Sequence, residues 1–146
     1  MKRIQRVEHV PYSPQQMFDL VNDVAQYPSF LPWCASTHIA QQSPLHMEAT
    51  LHISKGPLRK AFTTLNRLIP NERIEMRLKQ GPFKHLEGIW HFEPQLAGTK
   101  VSFEVCFEFQ NPFLGVTLGP VFAQIAQSMV QAFSQRAAKV YCNAIA

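Results

Sequence analysis

The sequence predicts an α+β domain in which one curved antiparallel sheet of about seven strands wraps around a long C-terminal helix. Three observations predict it. Pro44, Pro57, Pro70, Pro82 and Pro94 recur every twelve or thirteen residues, and proline, with no amide hydrogen to give a ladder, marks strand ends and turns. Between these prolines, apolar and polar residues alternate with a period of two. Beyond Pro120 the pattern changes to a stretch without proline or glycine, with an apolar stripe at helical spacing.

Residues 2–10 form a first strand with weak alternation. Ser13-Pro14-Gln15-Gln16 then reads as a helix start: Ser13 caps, Pro14 suits the first helical position and Gln16 closes a capping box. Met17, Phe18, Val21 and Val24 continue as a helical stripe that Tyr27-Pro28 ends. A six-strand meander follows, opening with a weakly patterned strand at 34–43. Met47, Ala49, Leu51 and Ile53 alternate with Glu48, Thr50, His52 and Ser54; Ile74, Met76 and Leu78 alternate with Arg73, Glu75, Arg77 and Lys79. Leu86, Trp90 and Phe92 share a face across Gly88. Val101, Phe103, Val105, Phe107 and Phe109 alternate with Ser102, Glu104, Cys106 and Glu108. Each strand has one apolar side, so the sheet covers a core on one face only. Gly119-Pro120 opens the last helix, which runs to about Tyr141 with Val121, Phe122, Ile125, Met129, Phe133, Ala137 and Val140 as its stripe. At roughly 1.5 Å per residue it is over 30 Å long, enough to cover the concave face.

The 146 residues suit a single domain, 1–146. Charged residues make up only 16%, below the usual quarter, so part of the surface is uncharged or covered. The net charge of +4 is compatible with an anionic partner without identifying one. Cys34, Cys106 and Cys142 are odd in number and lack C-x-x-C spacing, as expected of reduced thiols in a cytoplasmic protein. The first residues lack the apolar core of a signal peptide. No uninterrupted apolar run approaches the ~18 residues of a membrane span, so no transmembrane segment is expected and membrane contact is peripheral.

Little points to catalysis. His85, Glu87, His91 and Glu93 lie on one face of one strand, where alternate side chains diverge, so no metal site is expected. The two aspartates, Asp19 and Asp23, sit near the first helix; no nucleophile motif or glycine-rich phosphate loop occurs. No catalytic residue is nominated. Two features stand out instead. The segment Tyr27-Pro28-Ser29-Phe30-Leu31-Pro32-Trp33-Cys34 is too aromatic for an ordinary loop, so it is buried or lines an opening. From Lys55 to Lys84, eight basic residues meet two acidic ones, whereas residues 111–146 carry only Arg136 and Lys139 as charges.

With Val10-Pro11-Tyr12-Ser13, that aromatic segment, Gly81-Pro82-Phe83-Lys84, Gly88-Ile89-Trp90-His91-Phe92 and Met129-Val130-Gln131-Ala132-Phe133, the chain resembles, end to end, the coenzyme-Q-binding, polyketide-cyclase-like branch of the START superfamily. Within it the chain looks like the bacterial RatA, or ribosome-association, type. The resemblance implies a START-like helix-grip fold with an internal cavity and no cofactor-dependent chemistry. It leaves two roles open. One is a non-enzymatic carrier or chaperone for ubiquinone or another polyprenyl lipid, supporting respiration. The other is a toxin that binds the large ribosomal subunit and blocks subunit joining.

For the first role, Leu51, Met76, Trp90, Phe103 and Phe107 from the sheet and Phe122, Ile125, Met129 and Phe133 from the helix are expected to enclose a pocket of at least roughly 300 Å³. Phe30 and Trp33 are expected at its opening, and Thr64 and Asn66 are its candidate polar groups. For the second, Arg59, Arg67, Arg73, Arg77 and Lys79 are expected to form one exposed basic patch facing rRNA phosphates, or an anionic membrane.

Overall fold

Seven antiparallel strands form one curved sheet in the order β1-β7-β6-β5-β4-β3-β2. They are β1 (Lys2–Val10), β2 (Cys34–Gln42), β3 (His46–Lys55), β4 (Leu58–Ile69), β5 (Arg73–Gln80), β6 (Phe83–Gln95) and β7 (Gly98–Phe109). The computed structural model describes residues 1–141, so Cys142 lies outside the described residues. Strands β2 to β7 are the meander, and β1 joins its last strand, with Lys2 opposite Phe107 and Val10 opposite Thr99. The two strands with weak alternation are the two edges. β1 buries only Ile4 and Val10, and β2 carries two register shifts against β3.

Helix α1 (Pro14–Asn22) starts as its sequence requires. The Gln16 N–H donates to Ser13 Oγ at 3.1 Å, and the Ser13 N–H donates to Gln16 Oε1 at 2.9 Å. The helix stops at Asn22 rather than at Tyr27-Pro28, because Asp23 leaves helical geometry; a 3-10 helix, Val24–Ser29, carries the chain on and contains Pro28. The stripe persists across the break, and Val24 and Tyr27 are buried.

Helix α2 (Pro112–Tyr141) begins seven residues before Gly119, where the sequence places its start. Asn111 sets the true beginning: its Oδ1 accepts the Phe113 N–H at 2.9 Å and its carbonyl accepts that of Gly115, with Pro112 next to the cap, where a missing amide costs nothing. Pro120 is therefore internal. The carbonyl it leaves without a helical donor belongs to Val116, which is exposed, so water can take the missing bond. Phe122, Ile125, Met129, Phe133 and Ala137 are buried as the stripe requires; Val121 is half-buried and Val140 is exposed.

α2 lies chiefly against β1 and β7, and α1 packs beside it over β6 and β7. By length and mean hydropathy, 1.4 over eighteen residues, α2 would pass for a membrane span. Here its apolar stripe is the lid of the core. The Tyr141 hydroxyl donates to the Gln16 carbonyl at 2.8 Å and fixes the far end of α2 to α1. One glycine is indispensable to the frame: at Gly98 (φ 142) a Cβ would lie 1.9 Å from the Val10 carbonyl oxygen, where β1 and β7 meet.

Candidate functional site

The inward faces of β3 to β7 and the buried stripe of α2 enclose a small cavity. Strand parity sets its wall: Leu51 and Ile53 on β3, Phe62 and Thr64 on β4, Met76 on β5, Leu86 and Trp90 on β6, Phe103 and Val105 on β7. A register shift between Phe83 and His85 lets both Phe83 and Leu86 face inward despite their odd spacing. Phe122, Ile125, Ala126 and Met129 close the cavity from α2, and Tyr27 and Trp33 close it from the aromatic segment.

Eight of the residues expected at a ligand are on this wall: Trp33, Leu51, Met76, Trp90, Phe103, Phe122, Ile125 and Met129. Three are not. Phe133 fills space instead of lining it, edge-on to Trp90 and Tyr27 at 5.3 Å each and completely buried. Phe107 packs under α2 against Phe122 at 4.7 Å. Phe30 sits outside, half-buried, with the Arg136 guanidinium 5.0 Å from its ring centre. Phe133 and Phe107 take up interior space: the cavity measures about 80 Å³, well below the expected size.

Sequence reasoning missed Tyr27, Ile53, Phe62, Leu86, Gly88, Val105 and Ala126. Ile53, Leu86 and Val105 were legible in the alternation of their strands. Gly88 was not: a Cβ there would come within 2.7 Å of the Met76 methyl, so the glycine gives that methionine its place. The polar candidates Thr64 and Asn66 are both buried and bonded to each other, the Thr64 hydroxyl donating to Asn66 Oδ1 at 2.8 Å; Thr64 faces the cavity.

Trp33 has a second role. It also lines an open groove of about 810 Å³ on the outside, between the aromatic segment and α2, together with Phe30, Lys55, Gln131, Arg136 and Lys139. One buried indole thus separates the inner cavity from the groove.

The titratable groups nearby are held neutral. Burial pushes the Cys34 thiol up to about 11. Burial also pushes the Tyr27 phenol far above its ordinary value, and its hydroxyl donates to the Val21 carbonyl. Neither is an activated nucleophile at neutral pH. Among the described residues no three His, Cys, Asp or Glu side chains converge as a metal site would need.

The outer face of the sheet departs from the single basic patch expected. Arg59, Arg67, Arg73, Arg77 and Lys79 do take the outward parity, yet acids of the same face meet three of them. Glu75 lies 3.4 Å from Arg67 and 3.0 Å from Arg73, and Glu48 lies 2.7 Å from Lys79. Arg77 stands opposite Glu87 in the β5–β6 register. Arg59 and Arg67 are also eight residues apart on one strand, about 26 Å. A count along the chain overstated the patch because Glu75 of β5 serves two of its arginines and β3 and β6 bring Glu48 and Glu87 from outside the counted stretch.

The chain is similar to the ribosome association toxin RatA of Pseudomonas aeruginosa, 44% identical over 139 residues that cover 94% of this chain and 96% of that protein. It is also similar to a mitochondrial coenzyme Q-binding protein of Xenopus laevis, 29% identical over 96% of this chain and 60% of that one. Among solved structures, a START superfamily protein from Mycobacterium smegmatis superposes with a TM-score of 0.80 at 18% identity, covering 94% of this chain and 98% of that one. The Zhui aromatase/cyclase from a Streptomyces species gives 0.82 at 16%, covering 93% of each; both show the fold. The family described as polyketide cyclase / dehydrase and lipid transport matches residues 10–134, and the chain belongs to that family.

Proposed function

We propose that the protein acts in the cytoplasm by binding rather than by turnover, as a ribosome-association factor of the RatA kind that meets the large ribosomal subunit. The observation that carries this reading is the closed interior. A space of about 80 Å³ leaves little room for a substrate, and the groups beside it are held neutral, which favours a partner met at the surface. The end-to-end similarity to a ribosome association toxin supports it. Purified protein run through a sucrose gradient with separated subunits should travel with the large one and leave it as salt is raised. Protein that stays at the top of the gradient in low salt overturns the reading.

A specific observation favours a second reading, binding of a quinone or another polyprenyl lipid. The cavity wall is apolar except for Thr64, and two of its members, Met76 and Met129, are flexible enough to yield to a ligand. Trp33, between groove and cavity, is the natural reporter. A short-chain ubiquinone should quench the emission of Trp33, together with that of Trp90 on the same wall, saturably and be recovered unchanged. Chemical conversion of the quinone, or a linear, non-saturating response, rules this reading out.

A further inference from the structure

The net charge of the protein resides at one end of its sheet. The antiparallel registers gather there the start of β1, the β3–β4 hairpin, the β5–β6 turn, the end of β7 and the start of α2. Lys2, Lys55, Arg59, Lys60 and Lys84 lie at this end, with Glu108 as its acid and Lys55 on the side toward the groove that Arg136 and Lys139 line; the other nine basic and nine acidic residues of the chain balance. Glu108 lies 3.7 Å from Lys84. Just inside the boundary, Lys79 is neutralised by Glu48 at 2.7 Å. Among the described residues, Lys2, Lys55, Arg59 and Lys60 make no ion pair.

The same end projects apolar side chains into solvent. Phe113 is 84% exposed and Val116 is 81% exposed, one turn apart on α2, flanked by the exposed Pro112 and Pro120. No charged residue occurs from Phe109 to Gln135. Nucleic acid would use the cations but gains nothing from an exposed valine beside two prolines. An anionic bilayer uses both, because apolar side chains enter the acyl boundary while lysines and arginines stay with the phosphates.

We propose that this end of the molecule is a docking surface for anionic phospholipid bilayers, with Phe113 and Val116 inserting and Arg59 and Lys60 holding the phosphates. It stands independently of the ribosome reading and needs no ligand in the cavity.

The opposite end supplies a control. Leu96, at the tip of the β6–β7 turn, is fully exposed, yet the cations of that end, Arg73 and Lys100, are paired with Glu72 and Glu93, and Glu8 is at that end too. The full chain is centrifuged with vesicles of phosphatidylcholine, alone or with phosphatidylglycerol. Binding should require phosphatidylglycerol and fall about fivefold for each of Arg59→Gln and Lys60→Gln. It should fall at least about tenfold for Phe113→Asp combined with Val116→Ser, while Leu96→Asp leaves it unchanged. The substituted positions are exposed, and unchanged thermal unfolding verifies that the variants fold. Equal binding to neutral vesicles, no binding to either kind, or full binding by the Phe113 and Val116 double variant overturns the proposal. So does displacement from anionic vesicles by ribosomal RNA at stoichiometric amounts, which would assign this end to nucleic acid.

Discussion

The two faces of one sheet follow opposite rules. On the inner face, Trp90 stacks on Phe103 at 4.4 Å and meets Phe133 edge-on, and the neighbouring phenylalanines continue the contacts in a nearly closed aromatic block. On the outer face the same strands display Arg67, Arg73 and Lys79 against Glu75 and Glu48, all in reach of water. Inside, shape decides and each ring is held by several others. Outside, charge decides, each pair is worth little, and the pattern is free to change. Residues that alternate along one strand therefore differ sharply in what a substitution does.

Five measurements would break or sharpen this contrast. The largest effect is expected at Phe133, which is completely buried and touches three aromatic rings. Phe133→Ala should lower unfolding free energy by about 3–5 kcal/mol in urea titration; a loss below 1 kcal/mol would mean that the block is loosely packed.

Alkali should act from the inside too. Both Tyr27 and Cys34 have their pKa raised by burial, so above pH 9 the unfolded chain loses protons that the folded chain keeps. Stability is then fully present below about pH 9 and declines as pH rises through about 11. Melting temperature measured against pH reads this directly, and Tyr27→Phe should make the alkaline decline shallower. In native protein Cys34 should react with an alkylating reagent more slowly than the half-buried Cys106.

A smaller loss is expected at the cap of α2. Asn111→Ala removes the acceptor for the Phe113 N–H and should cost about 1 kcal/mol. The smallest belongs to the outer face: Glu75→Gln, which frees Arg67 and Arg73 together, should change stability by less than about 1 kcal/mol. A loss as large as that of Phe133→Ala would show that the outer pairs hold the sheet.

The fold was legible because parity is local. Val101 to Phe109 states which side is buried, and Ser13 to Gln16 states where α1 starts. What escaped the reading depends on neighbours that are distant in sequence. Asn111 could be taken for a loop residue because the cap it makes is visible only once Pro112 is known to be helical. The size of the cavity escaped for the same reason: the stripe of α2 gives the direction of Phe133 but not how far it reaches toward Trp90. Glu48, thirty-one residues from Lys79, is adjacent to it only after β4 has been threaded between their strands.

The closure of the sheet sets an order of events. β1 has a single ladder partner, β7, about a hundred residues later, and the hydroxyl that fixes the end of α2 reaches back to Gln16 across 125 residues. The ends of the chain therefore find each other only after the middle has been made, and closing such long loops slows folding. Until α2 arrives, Trp90, Phe103 and Phe107 stand uncovered on a half-built sheet whose edge strands are open to another chain. A nascent chain paused before residue 112 should thus be a substrate for chaperones, and completion of synthesis, rather than any local nucleus, should gate the native state.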